Sequence, residues 1–406
     1  MSAREAQGSG TRVIMFMGKG GVGKTTVAAA SAILAAESGQ RVVVTSTDPA
    51  HSLGDVLGRR IGSVPVQVTP GCHAQQLNGR DRLEESWAEV GGWVRRAFGW
   101  AGLDDLEAQE LMLLPGLEEL FALAEVTSLV DSGRFDTVIV DCAPTAETLR
   151  LLTLPEVLGF YLDRFEQQRP LRRAVSETVR RLGDLPIADA QIAGATRRLA
   201  DELSGVRRLL SADTTSVRLV MTPERVVIAE TRRTHTALGL HGYATDAVVV
   251  NRLLPEHVSD DFTARWRSAQ LERLDEVREG FGGVDTLIAE MSPIEPIGAG
   301  TLAEMARVLY DGREPTAVLG TSQPMSVVTG ADGPELHLPL PNADRGEVDV
   351  WAGDGEIHLT VGAHRRNLLL PDALHGRSVV GASLSDGTLV IRFDADVDAE
   401  RDDGDA

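Results

Sequence analysis

Gly18-Lys19-Gly20-Gly21-Val22-Gly23-Lys24-Thr25-Thr26 holds both lysines of a 406-residue chain, and arginine supplies the other 38 of its 40 basic residues. A compact ammonium retained only here points to chemistry for which a planar guanidinium is the wrong shape. Gly-x-x-x-x-Gly-Lys-Thr is the pattern of a phosphate-binding loop. Its glycines let backbone N–H groups curl around phosphate oxygens. Lys24 is placed to reach the β- and γ-phosphates of a nucleotide, and Thr25 to hold Mg2+. The flanks agree: apolar Val13–Met17 reads as a strand leading in, and alanine-rich Val27–Glu37 as a helix leading out. The helix start sets its partial positive charge under the phosphates. A plain glycine-rich turn before a helix is the alternative reading of this string.

Working outward, further apolar runs recur at 41–46, 136–140, 217–221 and 247–250. Continuous runs of this kind belong to parallel strands buried on both faces. Strands alternating with helices predict an α/β fold, a doubly wound parallel sheet of the P-loop NTPase type, with ligands at the carboxyl ends of the strands. Two acidic residues stand at such ends. Asp48, in Asp48-Pro49-Ala50-His51-Ser52-Leu53, follows the second strand, where a carboxylate can orient an attacking water and take its proton late. A helix N-cap is its structural alternative, and His51 reads as structural hydrogen bonding or catalysis. Asp141 opens Asp141-Cys142-Ala143-Pro144-Thr145-Ala146 after the third strand, the place of an aspartate that holds Mg2+ through water. Asp48, Pro49 and His51, and Asp141, Pro144, Thr145 and Ala146, would then be two switch segments sensing the γ-phosphate.

Composition narrows the function. A net charge of −20 argues against broad binding to nucleic acid. Two cysteines, Cys72 and Cys142, make neither a disulfide framework nor a zinc site. No run approaches the roughly 18 apolar residues of an integral membrane segment, and the first residues are unlike a signal peptide. A cytoplasmic protein is expected.

Residues 1–11 are expected to be disordered and 12–312 to form the phosphate-loop domain. Within it, 80–134 and 155–211 read as a largely helical subdomain. Leu171, Val175, Val179 and Leu182 share one helical face, as do Leu199, Leu203, Val206 and Leu210. These faces are core or groove. Trp87, Trp93, Phe98 and Trp100 are packing, or a surface for an apolar partner. Residues 313–334 read as a linker. Period-2 alternation over 335–393, with turns at Gly353-Asp354-Gly355 and Asp386-Gly387, predicts a small all-β antiparallel sandwich. Residues 394–406, with seven acidic residues and one arginine, read as a disordered tail.

Lys19 follows Gly18 where an ordinary phosphate loop tolerates almost anything. The double-lysine string resembles the variant loop of the MinD/ParA and arsenical-pump class. With Asp48–Leu53, Asp141–Arg150, Thr222-Pro223-Glu224, Glu230-Thr231-x-Arg233 and Val249-Val250-Asn251, residues 12 to about 312 resemble the arsenical-pump/tail-anchored-protein-targeting ATPase family. The resemblance implies a Mg2+-dependent ATPase working as a homodimer, with Lys19 reaching the partner subunit's nucleotide. It implies adenine contact by Asn251 and, on a weaker match, by Pro293 and Ile294. It also implies a hydrophobic client polypeptide, and residues 335–393 resemble a small heat-shock (α-crystallin-like) domain. Ala146 stands where the family commonly has Gly. The metalloid-binding cysteines, the second ATPase half and the zinc Cys-x-x-Cys of the eukaryotic members are missing, so neither an arsenite site nor a zinc clasp carries over. The alternatives are the ATPase subunit of a metalloid or anion exporter and a positioning ATPase of the MinD/ParA kind.

Overall fold

The computed structural model describes residues 10–48, 52–77, 117–142, 201–202, 204–257, 260–320, 325–330, 333–353, 356–370, 374 and 377–394. The main sheet is built from β1 (Arg12–Met17), β2 (Val42–Ser46), β3 (Val66–Thr69), β4 (Cys72–Gln76), β5 (Thr137–Asp141), β6 (Thr215–Met221), β7 (Thr245–Leu253) and β8 (Asp285–Glu290). Its order is β3-β4-β2-β5-β1-β6-β7-β8. Pairing is parallel for β1–β5, β2–β5, β2–β4, β6–β7 and β7–β8. The expected parallel sheet therefore stands with one correction: β3 runs antiparallel on β4 at the edge. β3, β4 and β8 were not among the strands expected, because each mixes polar residues into a short run. The chain divides into two compact units. One holds the residues up to Gly20, Lys24–Thr215 and Ile294–Thr316; the other holds Gly21–Gly23, Ser216–Pro293 and the residues from Ala317 onward.

In the first unit, β1, β2 and β5 are buried along their whole length. Helix α1 (Lys24–Glu37) is buried almost all round, from Val27 to Ala36. Its alanines let α6 (Ala299–Tyr310) approach closely enough for Ser31 Oγ and Tyr310 OH to share a hydrogen bond of 2.7 Å. Helix α2 (Ser52–Leu57) follows β2, and α3 (Leu117–Asp131) precedes β5. At the amino ends of the strands, Arg12 donates to the carbonyls of Thr214 and Thr316, and Gln40 Nε2 to Thr316 Oγ1.

Of the helical stretches expected over 80–134 and 155–211, α3 and residues 204–210 are helical. Val206 and Leu210 face inward. Residues 78–116 and 143–200, with the three clustered tryptophans, lie outside the described residues, as do 1–9 and 395–406.

The second unit joins β6 and β7, α4 (Arg225–Leu240), α5 (Asp261–Gly280) and β8 to the expected antiparallel sandwich. One sandwich sheet has the order β14-β15-β10-β9, the other β11-β12-β13. The strands are β9 (Ser326–Thr329), β10 (Pro334–Pro339), β11 (Val348–Gly353), β12 (Glu356–Val361), β13 (His364–Leu369), β14 (Val379–Ser385) and β15 (Thr388–Phe393). β14 and β15 meet at Asp386 (φ 49°) and Gly387 (φ 69°), a two-residue turn with both centres left-handed, as Asp-Gly favours. The sandwich core is aliphatic: Leu336, Leu338, Ile357, Leu359, Leu389 and Ile391, closed by Phe393. Leu240, the last residue of α4, is part of the same core. Thr236 Oγ1 donates to the Pro341 carbonyl, and the Arg366 guanidinium to the Leu240 carbonyl.

Of the stretch read as a linker, 313–334, residues 313–320, 325–330 and 333–334 are described. β9 lies inside it and pairs with β10. Arg218, fully buried, pairs with Asp246 at 3.1 Å and donates to the Ala317 carbonyl at 2.8 Å. A Cβ on Gly320 would stand 2.9 Å from the Asp246 carbonyl oxygen and 2.9 Å from the Asp285 nitrogen.

Candidate functional site

At the carboxyl end of β1 the chain turns through Gly18–Gly23 into α1. Lys24 is buried, and its Nζ donates to the Lys19 carbonyl at 3.3 Å, inside the first unit. Lys19 itself is half-buried, Gly20 and Gly21 are exposed, and Thr25 and Thr26 are half-buried on the first turn.

Thr25 reaches the neighbouring strand ends. Its Oγ1 donates to Asp141 Oδ2 at 2.8 Å and lies 3.0 Å from Ser52 Oγ. Ser46 Oγ, at the end of β2, donates to the same Asp141 oxygen at 3.1 Å and accepts from the Asp48 N–H at 3.2 Å. Gln76, at the end of β4, donates from Nε2 to the Asp48 carbonyl at 2.9 Å. Thr25 and Asp141 thus meet side chain to side chain, and the Asp48 backbone is tied to the same cluster. Ser46, Ser52 and Gln76 join them without having been expected. Serine and glutamine carry no spacing signature; only their place at the ends of strands β2 and β4, and on the first turn of α2, could have marked them.

Asp141 is fully buried, and its Oδ1 has no hydrogen-bond partner among the described residues. Burial pushes its carboxyl up to about 6. The Thr25 hydrogen bond, the Lys24 charge and the Ser46 hydrogen bond pull it down, and the Asp48 charge pushes it up. Among the described residues no group of three or more His, Cys, Asp or Glu gathers as a metal site. The donors beside Thr25 are all oxygen, with one buried carboxylate oxygen unsatisfied. Such a set suits a small hard cation that keeps much of its water shell. The two cysteines do not fit a soft ligand role: both are free and buried. Burial raises the Cys72 thiol to about 12 and moves Cys142 the same way.

Within the second unit, Asn251 is buried near the end of β7, and its Nδ2 donates to the Val22 carbonyl at 2.8 Å. Pro293 and Ile294 are exposed, in the segment between β8 and α6. Pro49, His51, Pro144, Thr145 and Ala146 lie outside the described residues.

A phosphate loop feeding a buried lysine and a first-turn threonine, set against an aspartate on the adjacent parallel strand, defines a P-loop NTPase of the doubly wound class. The family model for anion-transporting ATPases matches residues 11–311, and the model for the HSP20-like domain found in arsenical-pump ATPases matches 331–393. A protein of Chlorobaculum tepidum, provisionally named arsenical pump-driving ATPase, is 34% identical over 390 residues, covering 94% of this chain and 96% of its own. Protein Rv2184c of Mycobacterium tuberculosis is 34% identical over 413 residues, covering 94% of this chain and 96% of its own. The ATPase GET3B of Arabidopsis thaliana is 30% identical over 295 residues, 67% of this chain and 72% of its own. The chain belongs to the anion-transporting (arsenical-pump) ATPase family and carries that family's HSP20-like domain. It is an ATPase.

Proposed function

We propose that this ATPase is a homodimeric, Mg2+-dependent switch whose output is the nucleotide-gated holding of hydrophobic polypeptide segments. The observation that carries the switch is the shared oxygen of Asp141: Thr25 and Ser46 both donate to it, and Ser46 also accepts from the Asp48 backbone. A change at the phosphate loop is therefore passed to the ends of β5 and β2 through three hydrogen bonds. Lys24 would neutralise the β- and γ-phosphates, and Asp48 would orient the attacking water and accept its proton. Thr25, and Asp141 through water, would hold Mg2+. That cation, when bound, supplies charge neutralisation between the β- and γ-phosphates. Lys19 would add a second cation to the partner subunit's nucleotide, tying hydrolysis to dimerisation.

Two features favour a polypeptide client over an exported metalloid. Both thiols are buried with raised pKa values, which removes the soft ligands a metalloid requires. The HSP20-like sandwich shares a core with α4, so it belongs to the ATPase's second unit and is not a detached module. The test is Asp48→Asn: turnover should fall at least about 100-fold with ATP affinity within about threefold of wild type. Unchanged turnover refutes the role of Asp48. The same variant, loaded with ATP or ADP, is then offered a synthetic apolar helix of about 20 residues. Retention in one nucleotide state only supports the client reading. No retention in either, with ATPase stimulated by antimonite, puts the exporter reading in its place.

A further inference from the structure

The second unit contains three residues of the phosphate loop, Gly21–Gly23, held by a residue from a distant strand. Asn251 Nδ2 donates to the Val22 carbonyl at 2.8 Å, and Asn251 Oδ1 accepts from the Arg252 N–H at 3.0 Å. A carbonyl can only accept and a backbone N–H can only donate, so these partners fix which end of the amide faces which. The strand is shaped for this bond. Pairing of β7 with β8 slips between Val250 and Leu253, and Arg252 takes a left-handed backbone with φ 61°. Irregularities of this sort re-aim a side chain out of the regular pleat. The loop is shaped for it too: Gly23 has φ +93°, and a Cβ there would lie 2.3 Å from Asn251 Nδ2. Asn251 and Val22 are 5% and 3% exposed, so water does not compete for the bond.

The Val22 carbonyl and the Gly23 N–H belong to one planar trans peptide and point in opposite directions. Holding the carbonyl therefore aims the N–H. Glycine at 23 could otherwise let this peptide rotate at little steric cost. We propose that Asn251 is a positioning residue for the phosphate loop: its amide locks the Val22–Gly23 peptide so that the Gly23 N–H is presented to phosphate, whatever base the nucleotide carries. This rests on residues 18–26 being the phosphate cradle, and it is separate from any contact Asn251 makes with adenine.

The experiment measures binding of ADP, GDP and inorganic tripolyphosphate, which has no base, to wild type and to Asn251→Ala and Asn251→Asp. Both variants should weaken all three by about tenfold, equivalent to about 1.4 kcal/mol. KM for ATP should rise by the same factor. Asn251→Asp keeps the acceptor for Arg252 but sets oxygen against the Val22 carbonyl, so it should rescue nothing. Loss of ADP binding alone, with tripolyphosphate unchanged, overturns the inference and leaves Asn251 a base reader. No loss at all overturns it as well. Where Asn251→Ala lowers the melting temperature of the nucleotide-free protein sharply, Gly23→Ala replaces it. That change leaves Asn251 in place but pushes it off the peptide, and unchanged tripolyphosphate binding there also sinks the idea. Wild type failing to bind tripolyphosphate in competition with ATP would instead refute the phosphate-cradle reading itself.

Discussion

Ser46 shows how much one hydroxyl can do. Its Oγ is fully buried, donates to Asp141 and accepts from Asp48. A hydrogen bond to a charged group contributes on the order of 1.5–3 kcal/mol. Ser46→Ala should therefore slow turnover by about tenfold or more while shifting ATP affinity much less, measured by steady-state hydrolysis alongside nucleotide titration. Equal losses in affinity and turnover would mean that Ser46 supports binding only. Lys24, Thr25, Asp48 and Asp141 were legible in the sequence because each has a rare type or a fixed place after an apolar run. Ser46, Ser52 and Gln76 were not, since short polar residues are common at strand ends and helix starts whether or not they meet anything. The bond from Asn251 to Val22 was hidden for another reason. It joins positions 229 residues apart and depends on a slipped strand pairing that no periodicity announces.

Among the elements, α4 carries a demand on its last turns. A Cβ on Gly239 would lie 2.6 Å from the Pro339 carbonyl oxygen, a backbone atom that cannot swing aside. Gly239→Ala gains helix propensity, worth up to about 1 kcal/mol, but must displace β10, and overpacking costs about 1–3 kcal/mol. The net effect should be destabilisation, read as a lower urea midpoint. A rise in midpoint would show that the sandwich yields readily. The buried pair Arg218–Asp246 offers a larger effect. Asp246→Ala removes a carboxylate that pairs with a fully buried guanidinium, and about 3–5 kcal/mol should be lost in the same assay. The alternation of β10, β12 and β15 made the sandwich readable. The hairpin of β3 and β4 escaped because its residues are half polar. β9 escaped because all four of its residues are exposed and carry no inside-outside pattern.

For the whole molecule, part of the acid sensitivity should be traceable to one imidazole. His235 lies inside α4, stacked on Phe281 with ring centroids 5.1 Å apart. Burial lowers its pKa from 6.5 to about 4. The unfolded chain therefore binds a proton first as pH falls. The contribution is fully present above about pH 6.5 and is lost progressively down to about pH 4. Over that window the loss is of order 3 kcal/mol. His235→Phe should flatten the dependence of the urea midpoint on pH between 7 and 5 relative to wild type. An identical slope in the two proteins would assign the acid sensitivity elsewhere.

The two family models end at residue 311 and begin at residue 331, and the nineteen residues between them look like material that can be cut. Thr316 receives Arg12 and Gln40, Ala317 receives Arg218, and Gly320 fits where no side chain could. A truncation at 311 would strip acceptors from two buried guanidinium groups and bare Leu240, so loss of activity in such a fragment would report a damaged ATPase and not the work of the sandwich. The same geometry bears on descent. Insertions are tolerated where a chain hangs free, and residues 316–320 are held by hydrogen bonds and close backbone packing, so the spacing between the ATPase and the sandwich should drift far less among relatives than its featureless composition suggests.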